Sequence, residues 1–344
     1  MEKLDVTILY DAVEDEPLQE GEDPPVYPAV RKVLEERGHS VKTVAASSNI
    51  RKLVGEMEKD ESDIVFNLCE SLAGKDSYSV QVAALLELLG KPFTGTGSYG
   101  MALCQDKVLG KKLLSFHGIR YPKFSTMDAG QVEWSDQLQF PLFVKPSNTD
   151  SSVGIDAKAL VHDVKELMER ISFIHTQIKA PALIEEFIDG RELFVGVLGN
   201  GEEMHALPVL EWDFSKVKNG PKFATAEAKW DKSSEGFKAP EIFPEDIPEE
   251  VLRRMQSTAL DACRTFKVLD YGRVDMRLRL RGNENERAER RNDPDAWEFF
   301  VIEVNPNPYL EPRDLVARAA QRQDIDYAAL IATILDLARR RTRR

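Results

Sequence analysis

Residues 140–155 read FPLFVKPSNTDSSVGI, and the interpretation of the whole chain starts from this stretch. The run from Pro141 to Val144 is apolar, which predicts a buried strand that delivers Lys145 to its end. Residues 147–154 form a polar loop whose small hydroxyls and backbone N–H groups can wrap an anion. A strand, a lysine and a loop also occur together in other folds, but this combination favours a nucleotide phosphate site.

The composition is that of a globular protein with a negative formal charge. The chain has 344 residues, 42% hydrophobic and 31% charged, which allows two or three domains with substantial cores. The net charge of -13 argues against nucleic-acid binding, because a phosphate backbone needs a basic surface. No run of about 18 apolar residues predicts a membrane span, and the N-terminal residues lack the parts of a signal peptide. We therefore expect a cytoplasmic protein that binds neither nucleic acid nor membrane.

The cysteines predict no cross-linked or zinc-bound structure. There are three of them, widely spaced, at Cys69, Cys104 and Cys263. Neither a disulfide framework nor a zinc knuckle follows from that spacing.

Residues 1–104 alternate strand and helix patterns, which predicts a parallel sheet. The strand candidates are 6–10, 41–44, 63–68 and 92–94, and the helix candidates are 27–37, 50–59 and 79–89. Binding residues of such sheets lie past the carboxyl ends of the strands. The segment after Tyr10 is rich in Asp and Glu, and it is either a solvated loop or a site for a substrate ammonium group.

Gly95, Gly97 and Gly100 form a literal GxGxxG, the spacing of a dinucleotide-binding loop. They follow the fourth predicted strand rather than the first, so turn glycines are the favoured interpretation. Farther along, the patterns predict helices over 108–116 and 163–174, and strands over 155–160, 182–187 and 191–198. Together these elements predict a small antiparallel sheet with helices on one face.

Two later strand candidates, 271–280 and 299–305, carry polar residues with alternating spacing: Arg273 and Asp275 in the first, Glu303 and Asn305 in the second. Alternate residues of a strand point to the same side, so each pair shares a face, with Ile302 and Val304 on the opposite side of the second strand. If the strands pair, two carboxylates and an amide oxygen meet. Such ligands suit Mg²⁺, which takes its remaining ligands from water and phosphate. An exposed polar strand face is the alternative.

The connection between these two strands, residues 281–296, is almost entirely charged and polar, which predicts a disordered hairpin tip. Residues 313–338 have the apolar spacing of helices that present a face to the core.

The chain resembles the ATP-grasp ligases and, among them, the D-alanine–D-alanine ligases. The resemblance rests on five stretches in the family's order: FPLFVKPSNTDSSVGI, LIEEFIDGRELFVGVLG, EAKW, GRVDMRL and FVIEVNPNP. It implies a mixed α/β and α+β chain, in which an ATP-grasp fold follows an N-terminal Rossmann-like (pre-ATP-grasp) parallel-sheet domain. The implied domains are an N-terminal substrate domain at 1–104, a central subdomain at 105–186 and a C-terminal subdomain with the magnesium site at 187–344.

The resemblance also implies ATP as the nucleotide and two Mg²⁺ ions, with Mn²⁺ as an alternative. The implied nucleotide-binding residues are Lys107, Lys145, Ser151, Ser152, Glu185, Phe187, Ile188, Glu192 and Lys229. Among these, Lys145 reaches phosphate, Glu185 and the backbone of 187–188 read the adenine, and Glu192 reads the ribose. The implied metal ligands are Asp275, Glu303 and Asn305. Catalytic roles are implied for Arg273, which would stabilise an oxyanion, and for Ser151 and Lys229 on two closing loops.

The substrate side departs from the family pattern. The family's glycine-rich, serine-containing loop after the first strand is missing. The family's histidine near the third strand has no counterpart either, and Cys69 and Glu70 stand there instead. Tyr309 stands where the family has a glycine. Asp314 stands where it has a serine that holds the carboxylate of the second substrate. These departures leave ATP use better supported than D-alanine as substrate.

The first functional hypothesis is therefore an ATP- and Mg²⁺-dependent carboxylate–amine ligase that acts on an amino acid or small peptide. The resemblance implies a homodimer formed through the first domain. An ATP-binding regulatory or scaffold protein that has lost ligation is the alternative, and a dehydrogenase, which rests on Gly95–Gly100 alone, is a distant third.

Overall fold

A computed structural model describes residues 2–12, 25–128, 131–133, 138–148, 154–218 and 220–342 of the chain. The first part contains a parallel sheet of strand order β2-β1-β3, as predicted. Its strands are β1 (Asp5–Asp11), β2 (Ser40–Ala46) and β3 (Ile64–Asn67). The predicted fourth strand at 92–94 is wrong, because only a single parallel bridge joins Val65 to Phe93. Pro92 has no N–H to donate and Gly95 turns the chain at φ +90°, so no ladder can extend.

The described residues of this part contain five helices: α1 (Tyr27–Glu36), α2 (Ile50–Glu58), α3 (Ser79–Leu88), α4 (Ser98–Gln105) and α5 (Lys107–Phe116). The predicted helices agree with α1, α2, α3 and α5, and each predicted end lies within one residue of the observed end. The interpretation of the GxGxxG as turn glycines missed α4, which contains Gly100. A Cβ on Gly100 would lie 2.8 Å from the backbone oxygen of Lys267, so the lack of a side chain lets α4 pack closely against the backbone of Lys267.

The central part is an antiparallel sheet of order β5-β4-β8-β6-β7, covered by α6 (Val164–Phe173). Its strands are β4 (Phe124–Asp128), β5 (Gln131–Glu133), β6 (Leu142–Pro146), β7 (Leu160–Val161) and β8 (Ala182–Glu186). The strand predicted over 155–160 is wrong. Asp156 accepts a hydrogen bond from the backbone N–H of Lys158 and starts a 3-10 turn at Ala157–Ala159, so strand pairing begins only at Leu160.

The third sheet has the order β12-β11-β9-β13-β14, with β10 paired to β9, and it is antiparallel. Its strands are β9 (Arg191–Leu198), β10 (His205–Ala206), β11 (Leu210–Trp212), β12 (Glu241–Ile242), β13 (Tyr271–Leu280) and β14 (Trp297–Pro306). Three helices belong to this part: α7 (Ala226–Trp230), α8 (Glu249–Thr265) and α9 (Glu284–Arg290). The sequence analysis did not identify α8, which buries Val251, Met255 and Ala259 against the sheet.

The disordered connection predicted over 281–296 is wrong, since α9 lies within it. Asn283 accepts a hydrogen bond from the backbone N–H of Glu286, and the Glu286 side chain accepts one from the backbone of Asn283. This reciprocal capping starts a helix whose sequence, ENERAER, is almost entirely charged and polar. At its other end Arg290 pairs with Asp293 at 2.7 Å.

The last helices, α10 (Leu315–Gln321) and α11 (Tyr327–Thr342), confirm the helical pattern of 313–338. They belong to the same core as the first sheet, so that Leu330, Ile331 and Ile334 are buried together with Val6 and Ile8. Arg341, in the last turn of α11, binds two distant parts of the chain. Its Nη2 donates to the backbone oxygen of Phe93 at 2.8 Å and lies 2.8 Å from Oδ2 of the buried Asp270. No helix within the described ranges is long and apolar enough to cross a membrane.

Candidate active site

The paired strands β13 and β14 bring the predicted polar residues together. Asp275 lies directly opposite Glu303, and Arg273 lies opposite Asn305. Side chains at directly opposed positions have Cβ atoms about 5 Å apart, so the two carboxylates are close enough to share an ion. Neither carboxylate faces bulk solvent, since Asp275 is 8% exposed and the Glu303 side chain 26% exposed.

The alternation predicted for β14 is wrong at one point. The register shifts by one residue after Asp275, so Met276 pairs with Val301 and one residue of β14 is extra. At such a bulge two neighbouring residues oppose one residue of the partner strand, and the strict alternation of sides is lost. Ile302 therefore lines the same cavity as Glu303 instead of the opposite face.

Arg273 holds Asp275 through two hydrogen bonds. Its Nε donates to Oδ1 at 2.7 Å and its Nη2 to Oδ2 at 3.0 Å. The guanidinium also lies over the ring of Phe194, 5.5 Å from its centroid. Arg273 is thereby fixed beside the carboxylate pair, and Asp275 would have to share its oxygens between Arg273 and any bound cation.

Lysines surround the Glu303 end of this pair. Lys107 Nζ lies 3.8 Å from Glu303 Oε2. Burial works to raise the pKa of Glu303, but the charges of Lys107, Lys145 and Lys229 lower it to about 2. Glu303 is therefore ionised at any ordinary pH and available as an anionic ligand.

A second buried carboxylate, Glu185 on β8, lies between two lysines. Lys145 Nζ is 3.1 Å from Oε2 of Glu185, and Lys111 Nζ is 2.7 Å from Oε1. Burial works to raise the pKa of Glu185, but the two lysines lower it overall, so Glu185 is a carboxylate anion. For Lys111, burial lowers the pKa, and the charge of Glu185 opposes that effect.

The sequence analysis missed Lys111. It lies four residues after Lys107 on the face of α5 that also buries Leu114, and it is 2% exposed. A lysine at a core position of an amphipathic helix indicates a buried anionic partner, because an unpaired buried charge is very costly. The position of Lys111 on the apolar face of the predicted helix was therefore the signal from which this residue could have been identified.

One cavity is lined by most of the predicted residues. They are Lys145, Glu185, Phe187, Ile188, Glu192, Lys229, Asp275 and Glu303. Three phenylalanines form one wall: Phe143 and Phe187 are stacked with centroids 6.4 Å apart, and Phe223 meets Phe143 edge-on at 5.1 Å. A flat aromatic group fits such a wall, and lysines and carboxylates line the same cavity. The sequence analysis did not identify Phe143 and Phe223 as part of this wall.

Glu192 and a buried arginine join the cavity to the loop before α7. Arg277 Nη1 donates to Glu192 Oε2 at 3.2 Å, and the same oxygen accepts a hydrogen bond from the backbone N–H of Ala224 at 3.0 Å. Arg277 also donates to the backbone oxygens of Ile188 and Gly190. The sequence analysis missed Arg277, although it lies two residues after Asp275 on the same strand.

The remaining predicted residues lie beside the cavity or outside the described ranges. Lys107 and Asn305 contact or neighbour the carboxylate pair. Ser151 and Ser152 lie outside the described ranges, as do the acidic residues 14–23 after Tyr10. In the described parts of the chain, no three side chains of His, Cys, Asp or Glu form a metal-binding group. Two carboxylates and the Asn305 amide are thus the set that the structure offers to a hard cation.

Two buried polar atoms near Arg273 have no hydrogen-bond partner among the described residues, namely Asn305 Nδ2 and Asp314 Oδ2. Asp314 precedes α10 without capping it. Burial raises the pKa of Asp314, and the charge of Arg273 opposes this. Two more residues singled out in the sequence, Glu70 and Tyr309, line a separate cavity beside Tyr271.

Three comparisons identify similar proteins. The family model described as D-ala D-ala ligase C-terminus matches residues 107–336. An uncharacterized protein of Sinorhizobium fredii is 34% identical over 280 residues, which are 81% of this chain and 76% of that protein. A D-alanine–D-alanine ligase of Bordetella petrii is 32% identical over 279 residues, which are 80% of this chain and 76% of that enzyme.

A solved structure of a D-alanine–D-alanine ligase from Bacillus anthracis, complexed with ATP, aligns with a TM-score of 0.70 at 20% identity. The alignment covers 99% of this chain and 99% of that one. At this level of identity the match concerns the fold, and it confirms the predicted fold class.

Proposed function

This chain belongs to the D-alanine–D-alanine ligase family, and from that premise we propose that it joins a carboxylate to an amine with the use of ATP and Mg²⁺, on an amino-acid or small-peptide substrate. That the chain is an ATP-dependent ligase forming a C–N bond follows from its family. The metal, the reaction course and the substrate are the proposed parts. The observation that carries them is the single cavity that joins an aromatic wall to lysines and a carboxylate pair.

We propose that the adenine lies against Phe143, Phe187 and Phe223, with Glu185 and the backbone of 187–188 reading its edge. Glu192 would bind the ribose. The phosphates would extend toward Lys145, Lys107 and Lys229, where positive side chains can bind them. The loop with Ser151 and Ser152 is proposed to close over the phosphates. This arrangement corresponds to the proposed division into domains at 1–104, 105–186 and 187–344.

The acidic set of β13 and β14 fits Mg²⁺. Asp275 and Glu303 are opposed across the ladder, and Glu303 is ionised. Few protein ligands suffice for Mg²⁺, which keeps waters and takes phosphate oxygens. Asp275, Glu303 and Asn305 would hold two ions, whose charge would neutralise the phosphate oxygens during transfer.

The proposed reaction has two steps. The carboxylate of one substrate attacks the γ-phosphorus of ATP, which gives an acyl phosphate and ADP. The amine of the second substrate then attacks the acyl carbon, loses a proton and expels inorganic phosphate. Arg273 is held rigidly by Asp275, and a positive group fixed in that way can stabilise the oxyanion of the tetrahedral intermediate. No nucleophile from the protein is needed.

The acceptor is proposed to differ from D-alanine. Asp314 places a buried carboxylate oxygen without a partner near Arg273. A carboxylate there repels the carboxylate of an acceptor and favours a positive or uncharged group.

Phosphate release from ATP and Mg²⁺ tests the proposal, with pools of D-amino acids, L-amino acids and small peptides as substrates. We expect at least one pool to stimulate release, and we expect Asp275→Asn to abolish that stimulation. Tight ATP binding without stimulation by any pool would favour the regulatory alternative. Assembly as a homodimer is a further proposal, which sedimentation of the purified chain can check.

A further inference from the structure

Three charged side chains form a compact buried group at one end of the nucleotide cavity. Lys111, Glu185 and Lys145 are each less than 5% exposed, and Glu185 contacts both lysines. Two cations share one anion, so the group carries one net positive charge. The ionised Glu303, which interacts with Lys145, offsets part of this positive charge, and the remainder is unfavourable until a further opposite charge joins the group.

Only two members of this group reach the cavity. Lys145 and Glu185 line it, whereas Lys111 approaches Glu185 from α5 on the far side. The Lys111 ammonium faces the rings of Tyr121 and Phe124, 5.9 and 6.0 Å from their centroids. Lys111 is not among the residues that line the cavity, so its effect on a ligand there is electrostatic, through Glu185 and Lys145.

The charge of Lys111 determines how much positive charge Lys145 can present to a ligand. Without Lys111, Glu185 and Lys145 would form a neutral pair, and Glu185 would draw the lysine away from an incoming phosphate. With Lys111 present, Glu185 is already neutralised on its other oxygen, and the positive charge of Lys145 stays available.

We propose that Lys111 is a positioning residue for phosphate recognition, which keeps Lys145 electrostatically free by sharing Glu185 with it. The inference rests on the proposed function, because it takes the ligand to be a nucleotide polyphosphate. It assigns a role to a lysine that has no place in the reaction steps above.

Calorimetric binding of ADP and of adenosine to the full-length protein tests the inference. Lys111→Met removes the charge and keeps the length of the side chain. We expect the affinity for ADP to fall about tenfold or more, equivalent to about 1.4 kcal/mol, while the affinity for adenosine stays within about twofold. Lys112→Met is the matched control, since Lys112 is the next residue of the same helix and is exposed.

A rescue experiment separates charge from packing. Lys111→Met combined with Glu185→Gln leaves Lys145 as the only charge of the group, so the net charge returns to its original value. The ratio of ADP affinity to adenosine affinity should then recover toward that of the unmodified protein. A purely structural role of Lys111 predicts no such recovery.

Glu185→Gln alone keeps the test decisive if Lys111→Met does not fold. That variant adds one net positive charge, so the ratio of ADP affinity to adenosine affinity should rise. The inference is overturned if the ratio is unchanged in both Lys111→Met and Glu185→Gln. If the unmodified protein binds neither ADP nor ATP, the proposed function itself fails, and that outcome is distinct from the first.

Discussion

Replacement of Arg277 by methionine should be among the most damaging single changes outside the carboxylate pair. Arg277 is 6% exposed and donates to the backbone oxygens of Ile188 at 3.1 Å, Gly190 at 2.8 Å and Lys222 at 3.2 Å, and to Glu192 at 3.2 Å. The methionine fills the space of the stem but leaves three carbonyl oxygens and a carboxylate without this donor. Removing one partner of a buried ion pair costs about 3–5 kcal/mol, and we expect a loss in that range.

Urea unfolding followed by tryptophan fluorescence measures this loss. The matched control is Arg279→Met, two residues along the same strand. The Arg279 side chain is 31% exposed and pairs with Glu186 at 3.3 Å and Glu298 at 2.9 Å. Solvent screens such pairs, so the control should lose less than about 1 kcal/mol.

Replacement of Arg277 should also weaken nucleotide binding. Its guanidinium lies over the ring of Phe187 and binds Ile188 and Glu192, which line the cavity, so Arg277→Met should raise the KM for ATP more than it lowers kcat. If Arg277→Met lowers the free energy of unfolding no more than Arg279→Met does, the buried hydrogen bonds of Arg277 do not stabilise the fold as predicted.

Three further predictions concern single residues. Glu303→Gln should abolish ATP-dependent phosphate release because a metal ligand is lost, and near-normal turnover would refute the metal assignment. Asp314→Ser should raise kcat/KM for D-alanine as acceptor by roughly tenfold or more, since a like charge is removed, and an unchanged value would contradict this. Burial raises the pKa of the Cys263 thiol to about 12, whereas the unfolded thiol titrates near 9. The unfolded state therefore loses this proton first, and stability should fall as pH rises from 9 toward 12, by at most about 1.4 kcal/mol per pH unit. Cys263→Ala should show a shallower fall in the same unfolding assay, and an equal fall would exclude the thiol as its cause.

Local patterns predicted much of the fold and the two paired strands that carry Asp275 and Glu303. The alternation in β13 placed Arg273 and Asp275 on one face, and the apolar spacing of α1, α2, α3 and α5 gave their bounds closely. Local patterns work there because one face of each element is buried along its whole length.

The errors occur where a distant partner or a single hydrogen bond decides the structure. The bulge beside Ile302 depends on pairing with β13, and α9 depends on a reciprocal cap rather than on apolar residues. Lys111 and Arg277 were missed for the same reason, because their partners Glu185 and Glu192 lie 74 and 85 residues away. Helical periodicity places Lys111 on the buried face of α5, but neither periodicity nor composition identifies the distant partner of such a residue.

Because α11 shares a core with the first sheet, that core cannot be completed until α11 has been synthesised. About 260 residues lie between the end of β3 and the start of α11. At ribosomal speeds of about 5–20 residues per second, that interval lasts on the order of 10–50 seconds. Part of the apolar face of the nascent sheet stays uncovered during that interval, and exposed apolar surface of this kind is prone to aggregation.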